Sequence, residues 1–576
     1  MNSLRDVATL RWSMFGLAAA AILTTSCNLN VENPNAPDRQ RALSQPAGLQ
    51  QLLAGGILSW VEARDNYYVM PLDAMAKNYT ASWNNAAMRY YSSVGSDCPV
   101  RCGWNNSATA PEAAGGPTVA ALWYGYYTVL ASANAVLTGV QKNHICFDLD
   151  CATDSTLTVR NKAIGKMLQG MALAAISMTY DQGFFADENT DLTHPSSLPF
   201  STRAQLRDSA LVKLNEAYAL AGITGWSTEP DWMGIGSGQA YTNVQIQQLI
   251  RTMQAELIAL WPRNSTENTA ADWASVATYA SQGISSTAPF EWSYFIDVTN
   301  RECGIDCIKN WGNSVATERV STRVAALVTT NHVDPWPAPN GNPCPTISAD
   351  KRVGDGTSGP AGNANYQAQV GIAPADSGAG TDFACATVVI FPPARGSYHQ
   401  SNLAHVRYHQ LASRGEDLPT DDGTGQDPFY TPQMNDLLWA EGLIRSGGNL
   451  VTAANLINKS RVGRGGLPAL TGAEPVDTLL KDLQYEQEIE FMGQGVDPFF
   501  NRRRIDGLIP STPRQMPVPA KELDILQRAV YTFGGPSAPD MAAPVGSPIH
   551  QETVAERFKA LQDARPGYAA RYLRLF

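Results

Sequence analysis

Aromatic and amide side chains are concentrated in one stretch near the start of the chain, between residues 66 and 106. The aromatic residues of this stretch are Tyr67, Tyr68, Tyr79, Trp83, Tyr90, Tyr91 and Trp104, and six asparagines lie among them. Flat aromatic faces stack on sugar rings and peptide groups, and amides supply directional hydrogen bonds. The stretch lacks the regular apolar spacing of a buried helix. We therefore predict that Trp83, Tyr90, Tyr91 and Trp104 lie on one exposed face and bind an oligomeric ligand, with a glycan favoured over a peptide.

The competing interpretation is that most of these rings close the helices against the loops and belong to the core. Four aromatic residues that lie on one predicted helix are assigned to the core: Trp123, Tyr124, Tyr126 and Tyr127. A second set of binding candidates lies in an irregular region later in the chain. It begins with Trp292 and continues with Tyr294, Trp311 and Trp336.

Catalytic motifs do not stand out in the sequence. It contains no G-x-S-x-G, no H-E-x-x-H, no P-loop and no G-x-G-x-x-G that opens a helix. A carboxylate pair for glycoside hydrolysis depends on spatial separation, so this chemistry stays open. The obvious pairs, Glu486/Glu490 and Asp421/Asp422, lie near arginines or in a glycine-rich loop. We predict no catalytic residue and no cofactor.

An acidic loop at 416–427 offers oxygen atoms to a cation. It lacks the D-x-D-x-D-G spacing of a calcium-binding loop. A solvated acidic turn explains it better, and we predict no metal site.

A helical hairpin followed by a third helix is predicted between Tyr430 and Arg504. Apolar residues recur at helical spacing from Met434 to Ile444, and Gly447-Gly448 supplies the stop. The third helix carries three glutamates, and three consecutive arginines follow it: Glu486, Glu488, Glu490, Arg502, Arg503 and Arg504. We predict that these charges form buried or half-buried ion pairs, in preference to a catalytic role.

The same region carries a family resemblance. The order Tyr-x-Pro-x(2)-Asn-x(3)-Trp-Ala-Glu from Tyr430, Asn-Leu-Ile-Asn-x(2)-Arg from Asn455, Glu-x(3)-Glu-Phe from Glu486 and then Arg-Arg resembles the C-terminal half of SusD/RagB-family proteins. Segments 516–523 and 29–38 resemble the closing phrase and the mature N-terminus of that family, and Ser321-Thr322-Arg323 followed by Asp334-Pro335 resembles its other landmarks. The family consists of substrate-binding outer-membrane lipoproteins that work with TonB-dependent transporters. The resemblance therefore implies a SusC-like transporter as partner and no shared set of binding residues.

The N-terminus reads as a lipoprotein signal. Arg5 and Arg11 precede a ten-residue apolar run that is too short to span a bilayer, and Leu23-Thr24-Thr25-Ser26-Cys27 resembles a lipobox. We predict that residues 1–27 are a signal peptide with Cys27 as the lipidated residue, and that residues 28–46 are a polar tether. The alternative is an ordinary signal peptide that leaves Cys27 as a thiol.

Eight further cysteines remain, and an even number suits disulfides in an oxidising compartment. Their proximity in the sequence predicts the pairs Cys98–Cys102, Cys146–Cys151 and Cys303–Cys307, and elimination leaves Cys344–Cys385. Zinc is the alternative, but only His144 lies close to a couple.

The fold class predicted from apolar spacing is mainly α, with a tetratricopeptide-like helical-repeat scaffold. Apolar residues step by three and four from Ile164 to Met178 and from Ile246 to Leu260, and small residues recur where helices approach each other. Helices are expected over 47–62 and 117–137. The scaffold covers about 47–286 and 428–530, and a loop-rich lobe with short strands, one of them at 386–391, covers about 287–427. Residues 47–576 are predicted to form one domain.

The net charge of −11 argues against a nucleic-acid partner, because basic clusters are absent apart from Arg502–Arg504. No internal apolar run has membrane-spanning length, so the lipid is the expected anchor to the outer membrane. The favoured function is capture of an oligosaccharide or peptide at the cell surface for import through the transporter. The alternatives are a helical-repeat scaffold that binds another protein and a secreted glycoside hydrolase.

Overall fold

A computed structural model describes most of the chain between residues 43 and 535. The described residues are 43–66, 68–81, 87–92, 101–109, 116–148, 155–193, 197–234, 238–285, 290–296, 306–314, 318–330, 332, 334, 348–353, 380–385, 399–401, 403–408, 411 and 425–535. The signal peptide with Cys27, most of the tether, and the strand expected at 386–391 lie outside this set.

Helices dominate the described residues, as the sequence predicts. The helices of the first half are α1 Pro46–Asp65, α2 Met70–Ala76, α3 Met88–Ser92, α4 Gly116–Gln141, α5 Thr156–Thr179, α6 Arg203–Ala221, α7 Asn243–Leu260, α8 Ser265–Thr269 and α9 Trp273–Ser281. The later helices are α10 Cys307–Ser314, α11 Thr322–Val328, α12 Pro432–Arg445, α13 Leu450–Arg461, α14 Val476–Glu490, α15 Asp497–Arg504 and α16 Ala520–Ile525. The helices expected over 47–62 and 117–137 are confirmed as α1 and α4.

The helix starts follow from local sequence. Thr202 and Thr242 open α6 and α7 with capping boxes, in which the threonine hydroxyl accepts the backbone N–H three residues on and the glutamine there bonds back. Pro46 and Pro432 occupy the first helical position of α1 and α12, where a missing N–H costs nothing. These residues fix where each of the four helices begins.

Close packing between neighbouring helices depends on small residues. Helix α1 packs on α4, α4 and α6 pack on α5, and α9 packs on α12. A Cβ atom at Gly125 would lie 2.5 Å from the Ala63 Cβ, and one at Gly442 would lie 2.5 Å from the Ala277 backbone nitrogen. The helix axes approach this closely because no larger side chain stands between them.

Strands are short and occur as antiparallel pairs in the described residues. They are β1 Tyr79–Thr80, β2 Gln182–Gly183, β3 Ser201–Thr202, β4 Trp292–Ile296, β5 Arg319–Val320, β6 Phe383–Cys385, β7 Leu403–His405 and β8 Gly425–Tyr430. The pairs are β1 with β5, β2 with β3, β4 with β8, and β6 with β7. The β1–β5 pair joins Tyr79 of the scaffold to Val320 of the lobe. The lobe is therefore attached to the scaffold by backbone hydrogen bonds as well as by side chains.

One hydrophobic core runs through both the scaffold and the described parts of the lobe. It includes scaffold residues such as Leu168 and Leu249 and lobe residues such as Ile308 and Leu403, all of them fully buried. A smaller cluster lies among α12, α13 and α14, around Leu437 and Ile457.

Among the described helices, none combines the length and the apolar character needed to cross a bilayer. The described residues also contain no group of three or more histidine, cysteine or acidic side chains arranged to hold a metal ion. Of the predicted disulfide partners, Cys98, Cys151, Cys303 and Cys344 lie outside the described residues. The four pairings therefore stay predictions.

Candidate functional site

The predicted binding aromatics do not share one exposed face. Tyr91 is fully buried and Trp104 is 3% exposed, while Tyr90 is half-buried and packs edge-on against Tyr91 with ring centroids 5.1 Å apart. The expectation of exposure is wrong for Tyr91 and Trp104. Trp83 lies outside the described residues.

Trp104 is buried because the segment near the C-terminus closes over it. Its indole Nε1 donates to the Gln515 carbonyl at 2.7 Å, and its backbone N–H donates to the Phe533 carbonyl at 3.0 Å. Asn106 lies beside it and donates to the carbonyls of Val518 and Tyr531. These contacts join residues more than 400 positions apart, so no local pattern in the sequence predicts them.

Trp292, the candidate from the lobe, is also buried and was wrongly expected to be available to ligand. Its ring stacks on Trp60 at 5.4 Å and on Tyr430 at 5.8 Å, and its Nε1 donates to the Met233 carbonyl at 2.7 Å. The stack joins α1 of the scaffold to the β4–β8 pair. Trp292 therefore holds the lobe to the scaffold.

The remaining aromatic candidates are buried or half-buried wherever the structure describes them. Trp123 and Tyr126 are buried, which confirms them as core, and Tyr124 and Tyr127 are half-buried against the same core. Of the other lobe candidates, Tyr294 and Trp311 are buried. Trp336 lies outside the described residues.

A cavity of about 30 Å³ lies in the scaffold between Trp60, Arg64, Tyr126 and Tyr430. A buried water needs roughly 10–15 Å³ of such space, so the cavity has room for one or two water molecules and none for a sugar ring. Glu256 lies at its wall and accepts a hydrogen bond from the Tyr430 hydroxyl. This cavity is not the ligand site.

The three arginines after α14 bind different partners. Arg502 pairs with Glu488 at 3.0 Å, as the sequence predicts, and Arg504 pairs instead with Glu441 of α12 through two contacts of 2.7 Å. Arg504 and Arg445 hold the pKa of the buried Glu441 carboxyl down at about 2. The ion pairs lock α12 and α15 together.

Arg503 has only carbonyl partners among its described hydrogen bonds. Its guanidinium is fully buried and donates to the carbonyls of Met178, Leu260, Pro262 and Arg514, at distances from 2.7 to 3.2 Å. Leu260 ends α7 and Met178 lies in the last turn of α5, where carbonyls lack intrahelical partners. Arg503 therefore joins the ends of two helices, a role that its sequence neighbours do not reveal.

Glu486 and Glu490 of α14 face the lobe. Arg352 of the lobe donates to Glu486 at 2.7 Å, and Arg407 of the lobe donates to Glu490 at 2.8 Å. Arg464 bridges Glu490 to Asp382 of the lobe. Glu486 and Glu490, one of the pairs considered for glycoside hydrolysis, are thus engaged in ion pairs that bind the lobe.

Two further ion pairs hold the lobe at Arg323 and Asp334, which are landmark residues of the resemblance. Arg323 Nη1 lies 2.9 Å from Glu488, and Lys77 of the scaffold lies 2.6 Å from Asp334 of the lobe. The landmarks therefore lie where the lobe meets the scaffold.

Solved structures share this architecture. A SusD superfamily protein from Parabacteroides distasonis superposes with a TM-score of 0.53 at 10% sequence identity, covering 82% of this chain and 96% of its own. The chain has the SusD-like fold. A second SusD superfamily protein, from Bacteroides thetaiotaomicron, superposes with a TM-score of 0.50 at 13% identity, covering 81% of this chain and 89% of its own.

Comparison by sequence alone finds no relative of this chain. No protein-family model matches the chain. No curated protein matches it either.

Proposed function

We propose that this chain is a lipid-anchored, cell-surface member of the SusD/RagB family. It would capture an oligomeric nutrient and pass it to a SusC-like TonB-dependent transporter in the outer membrane. The observation that carries the proposal is the SusD-like fold, extending over more than four fifths of the chain. The C-terminal residues that carry the family resemblance support it, because Glu441, Glu486 and Glu490 form buried ion pairs that hold helices and the lobe together.

A glycan is the favoured cargo. Among the described residues of the aromatic stretch, Tyr68 and Tyr90 are half-buried and so keep part of their surface towards solvent. Trp83 belongs to the same stretch and remains a proposed contact. Aromatic faces of this kind stack on the apolar faces of sugar rings, and a peptide is the alternative that the same chemistry allows.

Catalysis is not part of the proposal. The glutamates considered for glycoside hydrolysis, Glu486 and Glu490, are bound by arginines and by the Ser460 hydroxyl. Arg407 and its neighbours hold the pKa of Glu490 well below its usual range, which suits a structural anion and not a general acid.

The test is a combined glycan and peptide array, followed by titration calorimetry with each positive ligand. We expect saturable binding of an oligosaccharide and no release of shortened products after prolonged incubation. Binding of peptides alone would replace glycan with peptide as the cargo. Appearance of shortened products would overturn the non-catalytic assignment.

The transporter partnership has its own test. The chain, expressed together with a SusC-like TonB-dependent transporter from the same organism, should co-purify with it in detergent as a complex. Separate elution of the two proteins under mild detergent would count against the partnership while leaving ligand binding in place.

A further inference from the structure

An unusual number of buried acids lies where the scaffold meets the lobe. Five buried acids lie at this junction: Asp65, Glu256, Asp306, Asp427 and Asp497. Two buried cations lie among them, Arg64 and Lys309. Carboxylates buried without matching cations are costly, because the protein interior solvates charge poorly. Acids therefore outnumber the cations at this junction.

Asp65 has the least compensation. It is the last residue of α1, where the negative end of the helix dipole disfavours a carboxylate. Neither of its carboxyl oxygens has a hydrogen-bond partner among the described residues, and Arg64 Nε lies 3.9 Å away. A Cβ at Gly495 would lie 2.3 Å from Asp65 Oδ1, so the chain also closes tightly over this group.

The cations near Asp65 are already engaged. Lys309 of α10 pairs with Asp306 at 2.8 Å and with Asp427 of β8 at 2.7 Å. Arg64 contacts Asp497 of α15 at 2.5 Å and Glu256 of α7 at 3.4 Å.

The electrostatic influences on Asp65 come from several elements. Arg64 and Lys309 favour its charged form, whereas Asp306 disfavours it. Asp65 in turn acts on Asp427, on Asp497 and on the hydroxyl of Tyr126 in α4. Arg64 and Lys309, the two cations of this cluster, thus both form their shorter ion pairs with acids other than Asp65.

We propose that this junction is a proton-dependent latch: the lobe packs closely on the scaffold while a carboxyl group of the cluster carries a proton, and the packing weakens when that proton leaves. Asp65 is the group assigned to this role. Burial, and the neighbouring Asp306 after it, raise the pKa of Asp65 to about 8. Among the described residues, no group of three or more acidic, histidine or cysteine side chains is arranged to hold a metal ion.

The direction of the pH effect follows from proton linkage. Above pH 4 the unfolded chain has released the Asp65 proton, whereas the folded chain keeps it until about pH 8. The free energy of unfolding therefore falls as pH rises through this window. The stabilising contribution of the Asp65 proton is complete only at acidic pH. Between pH 6 and pH 9 the unfolding constant should increase roughly a hundredfold more in the wild type than in a variant without this proton.

The test compares the full chain with Asp65→Asn, which keeps the shape and removes the titration. Asp208→Asn on α6 is the matched control, because the Asp208 side chain is 62% exposed. Denaturant unfolding at pH 6, 7, 8 and 9 should show a shallower pH dependence in Asp65→Asn and an unchanged one in Asp208→Asn. Equal pH dependence in wild type and Asp65→Asn would overturn the proposal.

Hydrogen exchange locates the effect. At pH 9, amides of β4, β8 and α10 should exchange more than tenfold faster in the wild type than in Asp65→Asn, with equal rates at pH 6. Amides of α6 should exchange equally at both pH values. A uniform difference along the chain would argue against a latch at this junction.

A second variant keeps the test decisive if Asp65→Asn does not fold. Lys309→Met removes the cation shared by Asp306 and Asp427, so the junction would need more protons to stay closed. It should fold at pH 5 to 6 and lose stability more steeply than the wild type as pH rises. The same pH dependence as the wild type would contradict the latch.

Discussion

Glu441 and Arg504 face each other through two parallel contacts of 2.7 Å in the interior of the protein. Arg445 and Gln487 complete the shell around the Glu441 carboxylate, at 2.7 and 2.8 Å. Three helices, α12, α14 and α15, therefore meet at one charged group. Bidentate geometry of this kind is among the strongest that a carboxylate forms in proteins.

Replacing Glu441 by Gln should destabilise the protein by about 3–5 kcal/mol, because Arg504 would remain buried with its charge unmatched. Glu291→Gln, at an exposed position, is the control and should change little. The measurement is the free energy of unfolding by denaturant at pH 7. A loss below about 1 kcal/mol would show that Arg504 finds other partners.

Acid should have a related effect. The pKa of Glu441 is lowered to about 2, so its contribution is complete above about pH 4.5 and is lost as pH falls through 2. The difference between wild type and Glu441→Gln should therefore shrink at acidic pH. A constant difference from pH 7 to pH 2 would contradict the assigned pairing.

The contact between α9 and α12 makes a second prediction. A Cβ at Gly442 would meet the Ala277 backbone at 2.5 and 2.8 Å, and backbone atoms cannot move aside cheaply. Gly442→Ala should destabilise the protein by about 1–3 kcal/mol in denaturant unfolding. Gly225→Ala is the control, since nothing lies within 4 Å of a Cβ there; equal effects of both substitutions would refute the packing argument.

The helical scaffold was predictable because its signals are local. Apolar steps of three and four, the capping threonines and the order of residues from Tyr430 to Arg504 all lie within short windows. The same windows correctly placed Trp123 in the core. They could not place Trp104 or Trp292, whose burial depends on Gln515, Phe533 and Trp60 far along the chain.

Local sequence also fails to identify which charged residues pair. Arg502 and Glu488 are 14 positions apart and both belong to the cluster for which the sequence predicts ion pairs, without saying which residues pair. Arg504 is separated from Glu441 by 63 positions, and Arg352 from Glu486 by 134. A cluster of acids and bases in sequence predicts that ion pairs form, whereas the topology of the chain decides which ones.

Lipidation at Cys27 is a third prediction. Cys27→Ala should move the protein from the membrane fraction to the soluble fraction and remove the mass of the attached lipid. Ser26→Ala, which leaves the cysteine in place, should stay membrane-bound. If Cys27→Ala remained in the membrane fraction with unchanged mass, the lipoprotein interpretation would be wrong.

Disulfide pairing is a fourth prediction. Peptide mapping without reduction should recover Cys98–Cys102, Cys146–Cys151, Cys303–Cys307 and Cys344–Cys385 as linked peptides. The first three pairs close loops of only a few residues, so each should add little to stability through chain entropy. Free thiols at these positions, or exchanged partners, would overturn the assignment.

Tyr90 and Trp104 should respond differently to truncation, although they are close in sequence. Tyr90 is half-buried, so Tyr90→Ala should weaken binding of the oligosaccharide identified on the array by about five- to a hundredfold, the loss of one stacking ring of about 1–3 kcal/mol. Trp104→Ala should instead lower the free energy of unfolding by about 3–5 kcal/mol, because it leaves a cavity and orphans the Gln515 carbonyl. Tyr218→Ala on α6, where Arg251 covers the ring at 3.7 Å, is the matched control for binding. Calorimetric titration of variants whose thermal midpoint is preserved decides the matter: unchanged affinity in Tyr90→Ala would remove Tyr90 from the site and leave Trp83 as the ring to test next.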